Sequence, residues 1–137
     1  MIHKFGLENL IGLKNSFARE MIEYVGRLLY KFVPDLVEYF ESHCLNHEFF
    51  TTQWIITLFS NTVKPSILFK IWDFFIIYKW KFLNLFIVSL LMYFKQSIMN
   101  CNINKLSVYM KNLLKSEVMD HSFNDIIDNT FDLMIKT

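Results

Sequence analysis

Apolar residues recur along this chain at helical spacing. Ala18, Met21, Ile22, Val25, Leu28, Leu29 and Phe32 stand at i, i+3, i+4, i+7, i+10, i+11 and i+14, which is one face of a helix. Arg19, Glu20, Glu23, Arg27 and Lys31 fall off that face. Ser16 is a candidate N-cap, with Arg19 where a complete capping box has Glu. Pro34 ends this helix near Phe32, because a residue before proline is pushed out of the α region. The same proline opens the next helix, where its missing N–H costs nothing. Leu36, Val37, Phe40 and Cys44 share one side of that second helix.

Asn46 is expected to cap a third helix that runs through Trp54 to about Phe59. Glu48 sits in its first turn, at the positive end of the helix dipole. Ser60-Asn61-Thr62 breaks the pattern, and Pro65 opens a fourth helix through Ile77. A fifth is expected over about Lys81–Gln96, a loop over Ser97–Asn104, and a sixth helix over Lys105–Lys115. Ser122-Phe123-Asn124-Asp125 resembles a capping box before a seventh, Asn124–Ile135. Leu7, Leu10 and Ile11 suggest a short helix before Ser16, weakened by Gly6 and Gly12. No strand alternation, repeat or dividing linker is visible. The pattern predicts an all-α array of about six to eight helices joined by short loops. Residues 1–137 are read as a single helical unit, with an extra C-terminal helix at about 120–137.

Composition sharpens this reading. Apolar residues make up 53% of the 137, with 15 Phe, while Gly and Pro are only 3 and 2, too few for a turn-rich β fold. So apolar a chain raises the question of a membrane span. Its longest charge-free run, Phe82–Phe94, falls short of the ~18–20 residues that a span needs. Lys79, Lys81 and Lys95 bound that run, so a buried core helix is expected and no transmembrane segment. The net charge of +1 gives no global field for nucleic acid, and no nucleic-acid partner is expected. Cys44 and Cys101 do not make a disulfide framework; both are read as free thiols and small buried hydrophobes. An intracellular, cytoplasmic location is expected, extending to the periphery of endomembranes.

The stretch 53–77, QWIITLFSNTVKPSILFKIWDFFII, carries the most information. Gln53-Trp54 and Leu58-Phe59 form a QW-x-x-x-LF segment, Pro65 marks a turn, and Ile71-Trp72-Asp73 follows. This order and spacing resemble the C-terminal half of the TBC domain, the helical module that activates Rab-type GTPases. Leu28–Leu36 resembles the family's helix leading to a P-x-L turn, and Val37–Glu41 the helix after it. Phe49 and Phe50 stand where the family has large apolar residues. Leu85–Leu91 resembles the helix after the WD segment, and Asn104–Leu114 its last helix. The resemblance covers about residues 10–114. It implies a Rab-type small GTPase as partner and a role in GTPase activation and vesicle trafficking.

The chemistry of the family is absent from these residues. The resemblance implies an arginine from I-x-x-D-x-x-R, which neutralises charge on the phosphates, and a glutamine from Y-x-Q, which orients the attacking water. An arginine finger is worth ~10³–10⁵ in rate through its fixed charge and planar fork. The arginines are Arg19 and Arg27, preceded three positions earlier by Ser16 and Tyr24 and not by Asp. Gln53 and Gln96 are preceded two positions earlier by Thr51 and Phe94 and not by Tyr. In the family both motifs lie N-terminal to the segments seen here. The chain thus resembles a truncated domain lacking its catalytic half. It is not itself expected to be an enzyme, nor to activate a GTPase alone. No catalytic, cofactor-binding or metal residues are assigned, and no cofactor. Uncovered apolar faces would favour self-association.

Other constellations are weak. His43 and His47 are four apart but lack the H-E-x-x-H pattern, and are read as solvated loop histidines. Cys101 and His121 lack an orienting group for nucleophilic chemistry. The glycines, Gly6, Gly12 and Gly26, form no phosphate loop. Lys105, Lys111 and Lys115 form a basic stripe, read first as a solvated helix face and second as a surface for an acidic partner or a membrane. Trp54, Leu58 and Phe59, and then Ile71, Trp72 and Phe75, are read as core anchors, with Asp73 as a nearby acceptor. The rival reading is a non-catalytic helical adaptor, or a membrane-associated interaction protein, unrelated to GTPases.

Overall fold

The computed structural model describes residues 16–137, and the short helix expected before Ser16 lies outside them. Seven α-helices and one short 3-10 turn follow in order, with no strand among the described residues. They are α1 (Ser16–Phe32), α2 (Pro34–Ser42), α3 (Glu48–Thr57), α4 (Pro65–Tyr93), α5 (Lys95–Met99), the 3-10 turn Ile103–Lys105, α6 (Leu106–Leu114) and α7 (Glu117–Lys136). The protein is all-α, as the periodicity predicts.

Local chemistry sets these boundaries. The apolar face of α1 is buried: Ala18, Val25 and Leu29 lie in the core, and Arg19, Glu20, Glu23, Arg27 and Lys31 face solvent. Pro34 and Pro65 each occupy the first turn of a helix, with Val33 and Lys64 in non-helical conformations before them. The residue at the N-cap of α3 is His47 and not Asn46, although Asn46 Oδ1 accepts the Glu48 N–H at 3.1 Å from just ahead of the helix. Where the sequence suggests a loop at Ser97–Asn104, α5 and the 3-10 turn occupy part of it, with Asn102 Oδ1 accepting from the Asn104 N–H.

Two boundaries differ from expectation. Helix α7 begins at Glu117 and not at Asn124, and Ser122 is a buried residue inside it. Helix α3 stops at Thr57, and Leu58 and Phe59 take left-handed conformations with φ of 51° and 66°. They therefore do not continue the helical face of Trp54. The Phe59 N–H reaches back to the Trp54 carbonyl at 3.1 Å, which wraps the helix end on itself.

Helix α4 is the spine of the fold and has two halves. Lys79 has φ 61° and ψ −148°, a non-helical conformation that kinks the helix between 65–78 and 80–93. This kink separates the two helices expected from the sequence. Ten consecutive residues, Phe82–Leu91, are buried, so this run of the second half is enclosed on every side. A helix that is apolar all round must be enclosed by protein or lipid. By length and composition α4 could cross a membrane, yet most of its apolar window is buried within the protein. Helices α1 and α7 supply the cover.

A polar contact fixes α7 on the buried half. Ser89 Oγ donates to the Ile126 carbonyl at 2.8 Å, and Asn129 Nδ2 donates to Ser89 Oγ at 3.0 Å. Aromatic rings then form a chain through the core. Phe50 stacks on Trp54, Trp54 on Phe59, Phe59 meets Phe86 edge-on, and Phe86 stacks on Phe82. Phe131 of α7 closes on Phe82 and Phe74. Asn84 interrupts this apolar surface: its amide N–H meets Met21 Sδ at 3.5 Å, and its buried carbonyl oxygen has no partner among the described residues.

Candidate functional site

The QW and WD segments meet at the end of α3. Trp54 is buried at the centre of the aromatic chain. Trp72, half-buried on α4, donates its indole N–H to the Leu58 carbonyl at 2.9 Å. That carbonyl belongs to the left-handed turn after α3, where helix-end carbonyls lack internal partners. Trp72 therefore supplies an external cap for α3. Asp73, expected as an acceptor, is instead exposed, and the Leu58 backbone takes its place. The two groups that meet there, an indole N–H and a backbone carbonyl, are not ionisable, and the contact they make is structural.

The charged groups lie elsewhere. Arg19 pairs with Glu48 at 2.9 Å and joins α1 to the start of α3. The Arg27 guanidinium lies 5.6 Å from the ring centroid of Tyr24 on its own helix. Gln53 and Gln96 are both exposed, on different helices. No arginine–glutamine pair is assembled from these residues.

The histidines separate into two environments. His43 is exposed, with Nδ1 3.0 Å from the Tyr39 carbonyl. His47, expected in solvent, is partly buried, with Nδ1 3.0 Å from Thr51 Oγ1. A Cβ added to Gly26 would lie 2.7 Å from His47 Nε2, so any larger residue there would displace the imidazole from its place against α1. Burial lowers the His47 pKa below its ordinary value of 6.5, opposed by Glu48 and reinforced by Arg19. No cluster of three or more His, Cys, Asp or Glu side chains suited to a metal occurs among the described residues. Cys44 is exposed in a left-handed turn with φ 59°, and Cys101 is half-buried, so neither is the fully buried hydrophobe expected from sequence. Both thiols are free.

Against α3 lies a cleft of about 240 Å³, between that helix, the 61–62 turn and α6. Phe50, Trp54, Thr62, Met110 and Leu114 lie at its base, all buried, and Gln53, Asn61, Ser107 and Lys111 form its exposed rim, so its accessible surface is mainly polar. Of these residues the sequence marks Gln53 and Trp54 through the QW segment, Phe50 before it, Asn61 and Thr62 in the break after it, and Lys111 by its charge. The rest carry no signal alone, because the cleft exists only once α6 is docked beside the QW helix.

The Rab-GTPase-TBC domain family matches residues 1–99, which include the QW helix, the proline-marked turn, the WD segment and the buried half of α4. The chain belongs to the TBC domain family. Neither a curated protein nor a solved structure matches it. The TBC match ends at Met99, within the chain's helical array, with α6 and α7 beyond it. TBC domains are all-α regulators of Rab-type GTPases, so the family sets the general kind of partner.

Proposed function

We propose that this TBC chain engages a Rab-type GTPase in vesicle trafficking without supplying the groups that accelerate hydrolysis. The carrying observation is the absence of both I-x-x-D-x-x-R and Y-x-Q from the 137 residues. The engagement of Arg19 by Glu48 and the position of Arg27 over Tyr24 support it. A finger must leave its own surface and enter the partner's phosphate site with its fork free. On this reading the TBC-like portion spans about 10–114, with the C-terminal helix appended. Phe69, Ile76 and Ile77 are 60%, 58% and 65% exposed on α4, and such apolar surface favours association with a second chain. The protein then acts in the cytoplasm and at the periphery of endomembranes.

Single-turnover GTP hydrolysis by a panel of Rab GTPases, with and without the chain, tests the reading, alongside binding of each GTPase measured by calorimetry. Binding without acceleration is expected. Acceleration of about tenfold or more that disappears in Arg19→Lys or Arg27→Lys would overturn it.

A further inference from the structure

A small polar cluster around His47 joins α1 to the start of α3. The ring belongs to the N-cap residue of α3 and is half-buried, with Nδ1 3.0 Å from Thr51 Oγ1. Thr51 is fully buried, and its hydroxyl also reaches the His47 carbonyl at 3.2 Å. A hydroxyl has one proton to give, and a carbonyl can only accept. The Thr51 proton therefore goes to the carbonyl, and Nδ1–H donates to Thr51 Oγ1. This arrangement satisfies both contacts. It leaves Nε2 as the unprotonated nitrogen of the neutral ring.

Nε2 is also the ring atom nearest α1. It lies 2.7 Å from where a Cβ on Gly26 would stand, and it has no hydrogen-bond partner among the described residues. As a bare nitrogen it tolerates this contact. Protonated, it becomes a donor facing a helix backbone whose carbonyls are spent within the helix. The charged groups nearby do not resolve this. Glu48 favours the charged ring, but Arg19 of α1 holds that carboxylate at 2.9 Å and itself opposes a second positive charge. Glu23, one turn before Gly26, and Arg27, just after it, are exposed, with Arg27 over the Tyr24 ring. Ahead of α3, His43 is turned to the Tyr39 carbonyl and Cys44 is exposed. Burial is the largest influence on the ring, and it keeps the proton off.

We propose that His47 is an acid-sensitive latch between α1 and the QW helix: a proton on Nε2 drives the ring off Gly26 and loosens the two helices. The imidazolium also competes with Arg19 for Glu48, which weakens the ion pair that joins them. The closed form takes up the proton less readily than an opened or unfolded chain, whose imidazole keeps its ordinary value of 6.5. The latch is therefore fully set above pH 6.5, and its contribution is lost as the pH falls from there through the lowered value of the closed form. Helix α3 carries Phe50 and Trp54, a stacked pair in the aromatic chain, so release at its first turn reaches the core. The latch does not depend on the GTPase reading.

The test compares the full chain with its His47→Gln variant, whose amide can still donate to Thr51 Oγ1 but does not titrate. On acidification from about pH 7.5 to about pH 5, the wild-type thermal midpoint should fall by about 2 °C or more beyond the fall of the variant. At the acid end, hydrogen exchange over 16–26 and 48–57 should be about threefold or more faster in the wild type, with the run 82–91 matched between the two chains. Equal pH dependence in both chains would overturn the proposal. A difference spread evenly over all helices would replace the latch with global destabilisation. A second measurement needs no folded variant at this position. The wild-type imidazoles are followed by NMR, with His47 assigned by replacing His3, His43 and His121 in turn by Gln. His47 should titrate below 6.5, with Nδ1 carrying the proton of the neutral ring. A titration midpoint at or above 6.5, or a neutral ring protonated on Nε2, would sink the latch.

Discussion

The two halves of α4 are written in nearly the same alphabet and meet opposite fates. Residues 65–78 include Phe69, Ile76 and Ile77, all more than half exposed. Residues 80–93 include the unbroken buried run Phe82–Leu91. Hydrophobicity does not separate them; neighbours do. The second half is enclosed by Met21 of α1, Phe59 after α3, and Phe123 and Ile126 of α7. The first half is covered on its inner side by Phe131 and tied through Trp72 to the α3 turn, and nothing among the described residues covers its outer side. An apolar helix is therefore not evidence of its own burial, and a charge-free one is not evidence of a membrane.

The sharpest way to break this contrast is Phe86→Ala. Phe86 is fully buried and touches the rings of Phe59, Phe82 and Phe123. Its truncation should cost about 3–5 kcal/mol, read as a fall in the urea midpoint. A loss below about 1 kcal/mol would mean that the second half is not the centre of the core. Next comes Trp72→Phe, which leaves the Leu58 carbonyl without its donor and should cost about 1–3 kcal/mol in the same assay. An unchanged midpoint would remove the cap from the account of the junction. Lys79→Gly should act in the opposite direction. The kink conformation at Lys79 is one that glycine adopts freely and other residues adopt at about 1–3 kcal/mol. Allowing for the flexibility that glycine adds to the unfolded chain, a gain of about 1 kcal/mol is expected. A loss would show that the lysine side chain holds the kink. The smallest effect belongs to Ile76→Ser on the exposed half, within about 0.5 kcal/mol by thermal unfolding. A large drop there would show that the outer side is covered after all.

Much of the architecture was legible because its signals are local. Two prolines mark helix starts with a mechanism of their own, and the face of α1 repeats without interruption. The sequence places the start of α7 too late because Ser122, a hydroxyl residue, belongs to its buried stripe of Met119, Ser122, Phe123, Ile126, Ile127, Thr130 and Leu133. Ser122-Phe123-Asn124-Asp125 has the pattern of a capping box, which places the start at Asn124. A hydroxyl group can be buried inside a helix, as where Thr130 bonds to the Ile126 carbonyl at 2.8 Å. The backbone conformations of Leu58, Phe59 and Lys79 were not legible, since no glycine or asparagine announces them. The cleft was hidden for a different reason. Its floor and rim come from residues 50–62 and 107–114, and their meeting is a product of tertiary packing.

The Trp72 indole gives the molecule a built-in label. A single N–H proton bridges two helices that the chain places on either side of a proline, and it cannot exchange with solvent while the bridge holds. In a heteronuclear spectrum that one resonance, set against the indole signals of Trp54 and Trp80, times how often the junction opens without the rest of the domain unfolding.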